Sequence, residues 1–268
     1  IFSLLSVIIG LLVATQGTYS KLILTTGFPF TTYQPYKEGA LNFFRGSHEI
    51  VFDSKTLGGD GTEKVSFSVP EMDVMAEVDG CVKAIRNGKI NEKENFFIAS
   101  LGYGTFELAL STQGGLVYRT TNSAQGLMYA VNRLENELQK KYYLSLLTEQ
   151  QLERAFQRGR MIIKRKDTDL TELRTKALQS YYFEVISPAI RKKLTDEDFY
   201  LSQKIYLVGG GAMYPEIVDL FKEEFSGVLD VIVMPEPHLA ASKGYCQHSV
   251  ELAKNKINTL DDKSSFTC

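Results

Sequence analysis

Apolar and polar positions along this chain follow two periods, and the switches between them mark its elements. Residues 1–15, IFSLLSVIIGLLVAT, form a nearly unbroken apolar run. The run is short of the ~20 residues that a membrane-spanning helix needs, and no Lys or Arg precedes it as in a secretion signal. It predicts a buried helix feeding a buried strand, in a chain whose natural beginning lies upstream. Residues 22–25 predict a short strand that Gly27-Phe-Pro breaks, and residues 38–44 a helical turn. Residues 49–52 and 64–69 alternate around Gly58-Gly59-Asp60-Gly61, the pattern of a hairpin. Pro70 is expected to end that strand, because residues 71–86 carry apolar side chains at helical spacing. The polar stretch NGKINEKEN (87–95) then reads as a hinge between two domains.

Three strand-like runs follow: FFIAS (96–100), FELALS (106–111) and GLVYR (115–119), separated by LGYG and TQGG turns. Helices are predicted over 126–143 and 149–157. A long amphipathic segment over 170–194 contains Pro188, which should kink or divide it. KIYLVGGGAMYPEIVDLFKEEF (204–225) reads as strand, triple glycine and helix; residues 230–237 form another strand and 238–254 a final helix. No repeat of 20–50 residues stands out. Strands alternating with helices after an initial meander indicate an α/β protein with mixed sheets flanked by helices.

Composition narrows the function. Of 268 residues, 44% are hydrophobic and 23% charged, enough for a packed core and unlike a disordered chain. Lys+Arg 30 against Asp+Glu 32 leaves a charge of −2, so no basic excess exists for direct binding along nucleic acid. Any contact with DNA is expected to run through a partner protein. Cys81, Cys246 and Cys268 are too few and scattered for a disulfide framework, and His48, His238 and His248 too far apart for a metal cage. A reducing, cytoplasmic setting fits best. Arg154, Arg158, Arg160, Lys164, Arg165 and Lys166 make a local basic stretch. It reads first as a solvated helix face, and second as a contact for a base edge, an acidic neighbour or a partner.

Two glycine turns carry the candidate chemistry. Ser100-Leu-Gly102-Tyr-Gly104-Thr105 joins two strands, and Gly209-Gly210-Gly211-Ala212 joins a strand to a helix. Glycine permits positive φ and close approach of a phosphate to backbone N–H groups, and a helix N-terminus offers unpaired donors. Neither turn is a P-loop, and the triple glycine is not G-x-G-x-x-G, because Tyr214 stands where the third glycine would be. Taken alone, each turn serves equally as plain connection or ligand cradle.

In that order, strand, LGYGT hairpin, further strands, a helical excursion, then strand–GGGA–helix resembles the actin/Hsp70/hexokinase ATPase superfamily, and most of all plasmid-segregation ATPases of the ParM type. SLGYGT stands where that type has a D-L-G-G-T-T-like phosphate turn. TNSAQG (121–126) and LAASKGY (239–245) are similar too, and SVPE (68–71) matches the V-x-P-E-like strand end whose acid positions the attacking water. The resemblance covers residues 1–253 and implies an actin-like two-domain ATPase fold. Residues 1–90, with 238–258 returning, would be the rest of the first domain; 91–237 the second; and 259–268 a tail. It implies ATP (or GTP) with Mg2+ in the interdomain cleft, bound through Ser100, Gly102, Gly104, Thr105, Gly209, Gly210, Gly211 and Ala212. Glu71 would be the catalytic carboxylate, with no metal ligated directly by these residues.

The resemblance further implies nucleotide-dependent filaments, self-association, a DNA-bound adaptor and a role in plasmid or DNA-cargo segregation, with no membrane contact. The D-x-G-x-x-x-x-K-like first phosphate loop of the family would lie upstream. Two departures bear on activity: Ser100 replaces the Asp that helps hold Mg2+ through water, and Tyr103 replaces a glycine. ATP hydrolysis is therefore an open expectation. The rival readings are a sugar or acetate kinase, a chaperone-like ATPase, and a non-hydrolysing scaffold.

Overall fold

The alternating runs of the first third pair as antiparallel strands. β1 (Ser20–Phe28) is followed by α1 (Tyr33–Phe44), then β2 (Gly46–Asp53) and β3 (Thr62–Ala76). β3 is central, with β1 on one side and β2 on the other. The β2–β3 register sets Gly46 opposite Val69 and Asp53 opposite Thr62. α1 lays Ala40 and Phe44 on the sheet, against Phe67, Val69, Met72 and Val74. The computed structural model describes residues 10, 11, 13, 20–53, 55, 61–143 and 147–264. The expected first helix lies mostly outside the described residues, as do residues 56–60 of the hairpin turn.

Pro70 does not end the strand. Inward positions on β3 are Val65, Phe67 and Val69, then Met72, Val74 and Ala76, so the buried parity shifts by one across Pro70-Glu71, as at a bulge. Gly46, the first residue of β2, already pairs with Val69, so Pro70 lies just past that ladder and its missing N–H costs no bond there. The helix expected from Glu71 therefore starts at Glu77, as α2 (Glu77–Asn87).

α2 buries Val78, Cys81, Val82 and Ile85 and packs on the next two strands, β4 (Phe96–Leu101) and β5 (Thr105–Thr112). This places it with the second part of the chain. Contacts divide the molecule into one unit of residues 1–28, 32–75 and 245–268, and another of residues 29–31 and 76–244. The division thus falls at Ala76 rather than in the polar stretch 87–95, and the chain returns at Tyr245 rather than at His238.

The second unit continues with β6 (Gly115–Leu116), β7 (Asn122–Gln125), α3 (Met128–Tyr142), α4 (Glu149–Arg158), β8 (Arg160–Ile163), β9 (Lys166–Asp169), α5 (Thr171–Tyr181) and α6 (Ser187–Lys193). β10 (Lys204–Val208), α7 (Pro215–Glu224), β11 (Asp230–Val233) and α8 (Ala240–Ser264) complete the described chain. Its main sheet runs β11-β10-β4-β5-β6, with β7 also on β5. β10 is parallel to both β4 and β11, whereas β4 and β5 are antiparallel. Phe97, Ala99, Leu101, Phe106 and Leu108 of the sheet share one core with α3, α5, α6 and α7.

Pro188 leaves the long helix unbroken. Residues 182–186 form a π turn between α5 and α6, in which the Ser187 amide donates to the Tyr182 carbonyl. Widening the helix just before the proline accommodates a residue that cannot donate and whose ring would crowd the preceding turn.

Two glycines in helices set opposite expectations. A Cβ on Gly244 would overlap the Gly80 carbonyl oxygen, so Gly244→Ala should cost about 1–3 kcal/mol. Gly39 in α1 faces open space, so Gly39→Ala should stabilise by about 0.5–1 kcal/mol. Urea unfolding of both variants against the parent measures the two signs.

Candidate functional site

The site begins with a register. β4 and β10 are adjacent and parallel, with Val208 opposite Ser100, so both strands end at the same edge of the sheet. β4 runs into the Gly102–Gly104 turn and β10 into Gly209–Ala212. The two glycine turns, a hundred residues apart in sequence, stand side by side where α/β sheets usually hold ligands.

Leu101 is the point of contact between them. Gly209 adopts φ +85°, and a Cβ there would come within 2.6 Å of the Leu101 backbone; one on Gly211 would lie 2.7 Å from Leu101 Cβ. These two glycines are fixed by packing. Gly210 differs: nothing stands within 4 Å of its Cβ position. Residues 210–213 form a 3₁₀ turn, so the triple glycine does not open directly into α7.

The LGYGT turn is held from below. Gly102 N–H donates to the Thr105 carbonyl at 2.9 Å, and the amides of Gly126, Leu127 and Met128 donate to the carbonyls of Gly104, Gly102 and Tyr103 at 3.0, 2.9 and 2.9 Å. A Cβ on Gly126 would meet Thr105 N and Tyr103 O at 2.5 Å, which explains the glycine closing TNSAQG. With its carbonyls so engaged, the Tyr103 and Gly104 amides have no backbone partner among the described residues. They are the donors an anion would meet.

Beside the turns lies a cavity of about 230 Å³, lined by Tyr103, Leu127, Val131, Glu153, Phe156, Gln157 and Tyr214. Tyr103 comes from the first glycine turn and Tyr214 directly follows the second. The Tyr103 hydroxyl donates to Glu149 at 3.3 Å, while Tyr214 packs edge-on to Phe156 with Arg174 above its ring. The cavity is below the ~300–1,000 Å³ of whole-ligand pockets and suits one ring system of a larger ligand.

Glu71 is in mid-strand on β3, within the first unit, and not at a strand-to-helix corner. The corner residue is Glu77, following Val74-Met75-Ala76 at the start of α2. Ser100, 7% exposed, pairs directly with Glu107 across the β4–β5 ladder, which puts their side chains on one face of the sheet. Glu107 is 1% exposed; its Oε1 accepts from Phe30 N–H at 2.5 Å and the Ser123 hydroxyl at 2.9 Å, its Oε2 has no hydrogen-bond partner of good geometry among the described residues, and the Val78 amide also lies toward the carboxylate. Burial, reinforced by the charge on Glu107, lifts the Glu77 carboxyl to about 7. Burial also raises Glu107, against the pull of its hydrogen bonds to Phe30 and Ser123, and pushes up the Cys81 thiol beside Ser100.

A hydrated Mg2+ on a nucleotide's phosphates needs only one or two carboxylates from a protein. The buried Glu107 carboxylate, whose Oε2 lacks a well-formed hydrogen bond among the described residues, with Glu77 near it, fits that demand, and Ser100 adds a neutral hydroxyl. Among the described residues no cluster of three His, Cys, Asp or Glu forms a cage for a bare ion.

Solved structures share this architecture. An archaeal actin homologue, 17% identical, superposes with a TM-score of 0.71 over 87% of this chain and 71% of its own. The fold is actin-like. A ParM from Clostridium botulinum, solved as a 15-stranded filament, is 14% identical, with a TM-score of 0.68 over 85% and 66% of the two chains. Bacillus thuringiensis ParM with ATP is 15% identical, with a TM-score of 0.64 over 93% and 73%. No protein-family model and no curated protein matches the sequence. Within the actin-like fold, Glu77 and Glu107 were legible only indirectly. The signal was an acid directly after an alternating strand and another two residues beyond Thr105.

The raised Glu77 has a consequence for stability. Between about pH 4.5 and 7 the unfolded chain ionises this carboxyl while the folded chain keeps its proton, so stability falls as pH rises and levels off above 7. Glu77→Gln should flatten that slope and, above pH 7, be about 1–3 kcal/mol more stable than the parent. Thermal unfolding from pH 4 to 8 checks it.

Proposed function

We propose that the chain is a ParM-type, nucleotide-dependent filament protein, binding a nucleoside triphosphate on the edge of its second unit where β4 and β10 end. The observation that carries this is the Ser100–Val208 register, which brings two ligand-competent glycine turns and a ring-sized cavity together. In this reading phosphates rest on the amides of Tyr103 and Gly104, beside Ser100, Gly102 and Thr105. The base or sugar enters between Tyr103 and Tyr214, over Gly210 and near Gly209, Gly211 and Ala212. ADP, ATP and AMPPNP are bound by actin-like neighbours, and ParM neighbours form filaments, which supports both halves of the reading. Assembly would follow nucleotide binding in the cytoplasm. DNA cargo would be reached through a DNA-bound adaptor, in keeping with the net charge of −2.

Hydrolysis falls to Glu77 rather than Glu71. A carboxyl poised near neutrality at the head of a helix can orient water and accept its proton. Glu107 would hold the water shell of a bound Mg2+ in place of the Asp that Ser100 replaces, and the cation, when bound, would supply charge neutralisation at the phosphates. One observation favours a slower or non-hydrolysing scaffold: Ser100 itself brings no charge to the turn.

Three measurements on the full-length protein test this. Gly210→Val should abolish fluorescent-nucleotide binding with the fold intact, because its side chain would fill open space; unchanged affinity removes the loop from the site. Glu77→Gln should lower turnover at least tenfold while nucleotide still binds, whereas Glu71→Ala should leave turnover near normal. Glu107→Ser should weaken the Mg2+ dependence of nucleotide affinity, and Ser100→Asp combined with Glu107→Ser should restore it.

A further inference from the structure

Of the basic stretch, Arg154 and Arg158 are exposed on the α4 helix, whereas Arg160, Lys164, Arg165 and Lys166 belong to a hairpin. After α4, Gly159 at φ +65° turns the chain into β8 and β9, a two-stranded hairpin whose tip is Lys164-Arg165. Both tip residues have positive φ (49° and 66°), a turn that Asn-Gly forms far more readily. Ile163 faces inward, but Ile162 is 74% exposed. Lys164, Arg165 and Lys166 are exposed too, and none is in an ion pair among the described residues. The hairpin is an apolar knob ringed by unspent positive charge.

The same unit carries a matching hollow. A groove of about 420 Å³ has a floor of Leu194, Phe199 and Phe225, with Val228, 48% exposed, at its lip. Asp196 and Glu224 line it, and Glu197 is exposed beside Asp196. Asp196 and Glu197 have no ion-pair partner among the described residues, whereas Glu224 is shared with Arg191.

Knob and hollow are separated by one helix. Leu170 N–H bonds the Gly159 carbonyl, and Asp169 caps the Thr171 amide, fixing the hairpin base at the start of α5. Ile190, Arg191 and Leu194 of the groove are at the far end of α6. Helical structure is continuous over 171–193, about 34 Å at 1.5 Å per residue, so the tip cannot reach its own groove.

We infer that the β8–β9 tip of one copy docks in the α6–α7 groove of the next, Ile162 on the apolar floor and Lys164 and Arg165 against Asp196 and Glu197. Because the two patches differ, the contact is heterologous, and repetition propagates an open line of subunits. This rests on the filament reading above and names the surface that would build it.

The test uses full-length protein, ATP and two variants. Ile162→Asp with Arg165→Glu spoils the knob, and Asp196→Lys with Val228→Arg spoils the hollow; all four positions are exposed, so folding is preserved. Each variant alone should raise the concentration needed for pelleting at least tenfold while fluorescent-nucleotide affinity is unchanged. Mixed together, one intact knob meets one intact hollow, so a 1:1 dimer should appear in analytical ultracentrifugation without polymer. Variants that pellet like the parent overturn the interface and leave the filament reading standing. A parent that never pellets with ATP overturns the filament reading, and the interface with it.

Discussion

The parallel pairing of β10 with β4 is the constraint on which the rest of the second unit depends. It fixes Val208 beside Ser100 and so brings the ends of two distant strands to one edge. Leu101 then forces glycine at 209 and 211, and the LGYGT turn forces glycine at 126, because backbone and Cβ would otherwise overlap. What remains unforced is informative. Gly210 has room for a side chain and carries none, and the two amides of the first turn have donors to spare.

Around that edge the electrostatics are organised by burial. An acid at Glu77 and another at Glu107 share one low-dielectric region with Ser100 and Cys81; burial makes both harder to ionise, with the charge on Glu107 adding to it at Glu77 and that on Asp79 at Glu107. Buried acids raised in this way are costly to ionise together, and groups so perturbed cluster at functional sites.

Much of this was legible in the sequence. The α/β class, the β2–β3 hairpin, the strand–GGGA–helix order and the LGYGT hairpin follow from periodicity and glycine placement. The errors have physical causes. Pro70 mimics a strand end because the inward parity shifts there, and the proline takes no bond from the β2 ladder, which begins with Gly46 opposite Val69. Pro188 looked like a break because nothing local announces a π turn. The β8–β9 hairpin was hidden because its tip uses Lys and Arg at positive φ rather than Asn-Gly. Cross-strand partners such as Ser100 and Glu107 are set by register, which no single strand displays.

Hydrogen–deuterium exchange of the full-length protein with and without ATP addresses the central claim most directly. The account predicts slowed exchange at residues 101–105 and 209–214 on adding nucleotide, together in both turns. Nucleotide that binds while both turns exchange at their unliganded rates would contradict it.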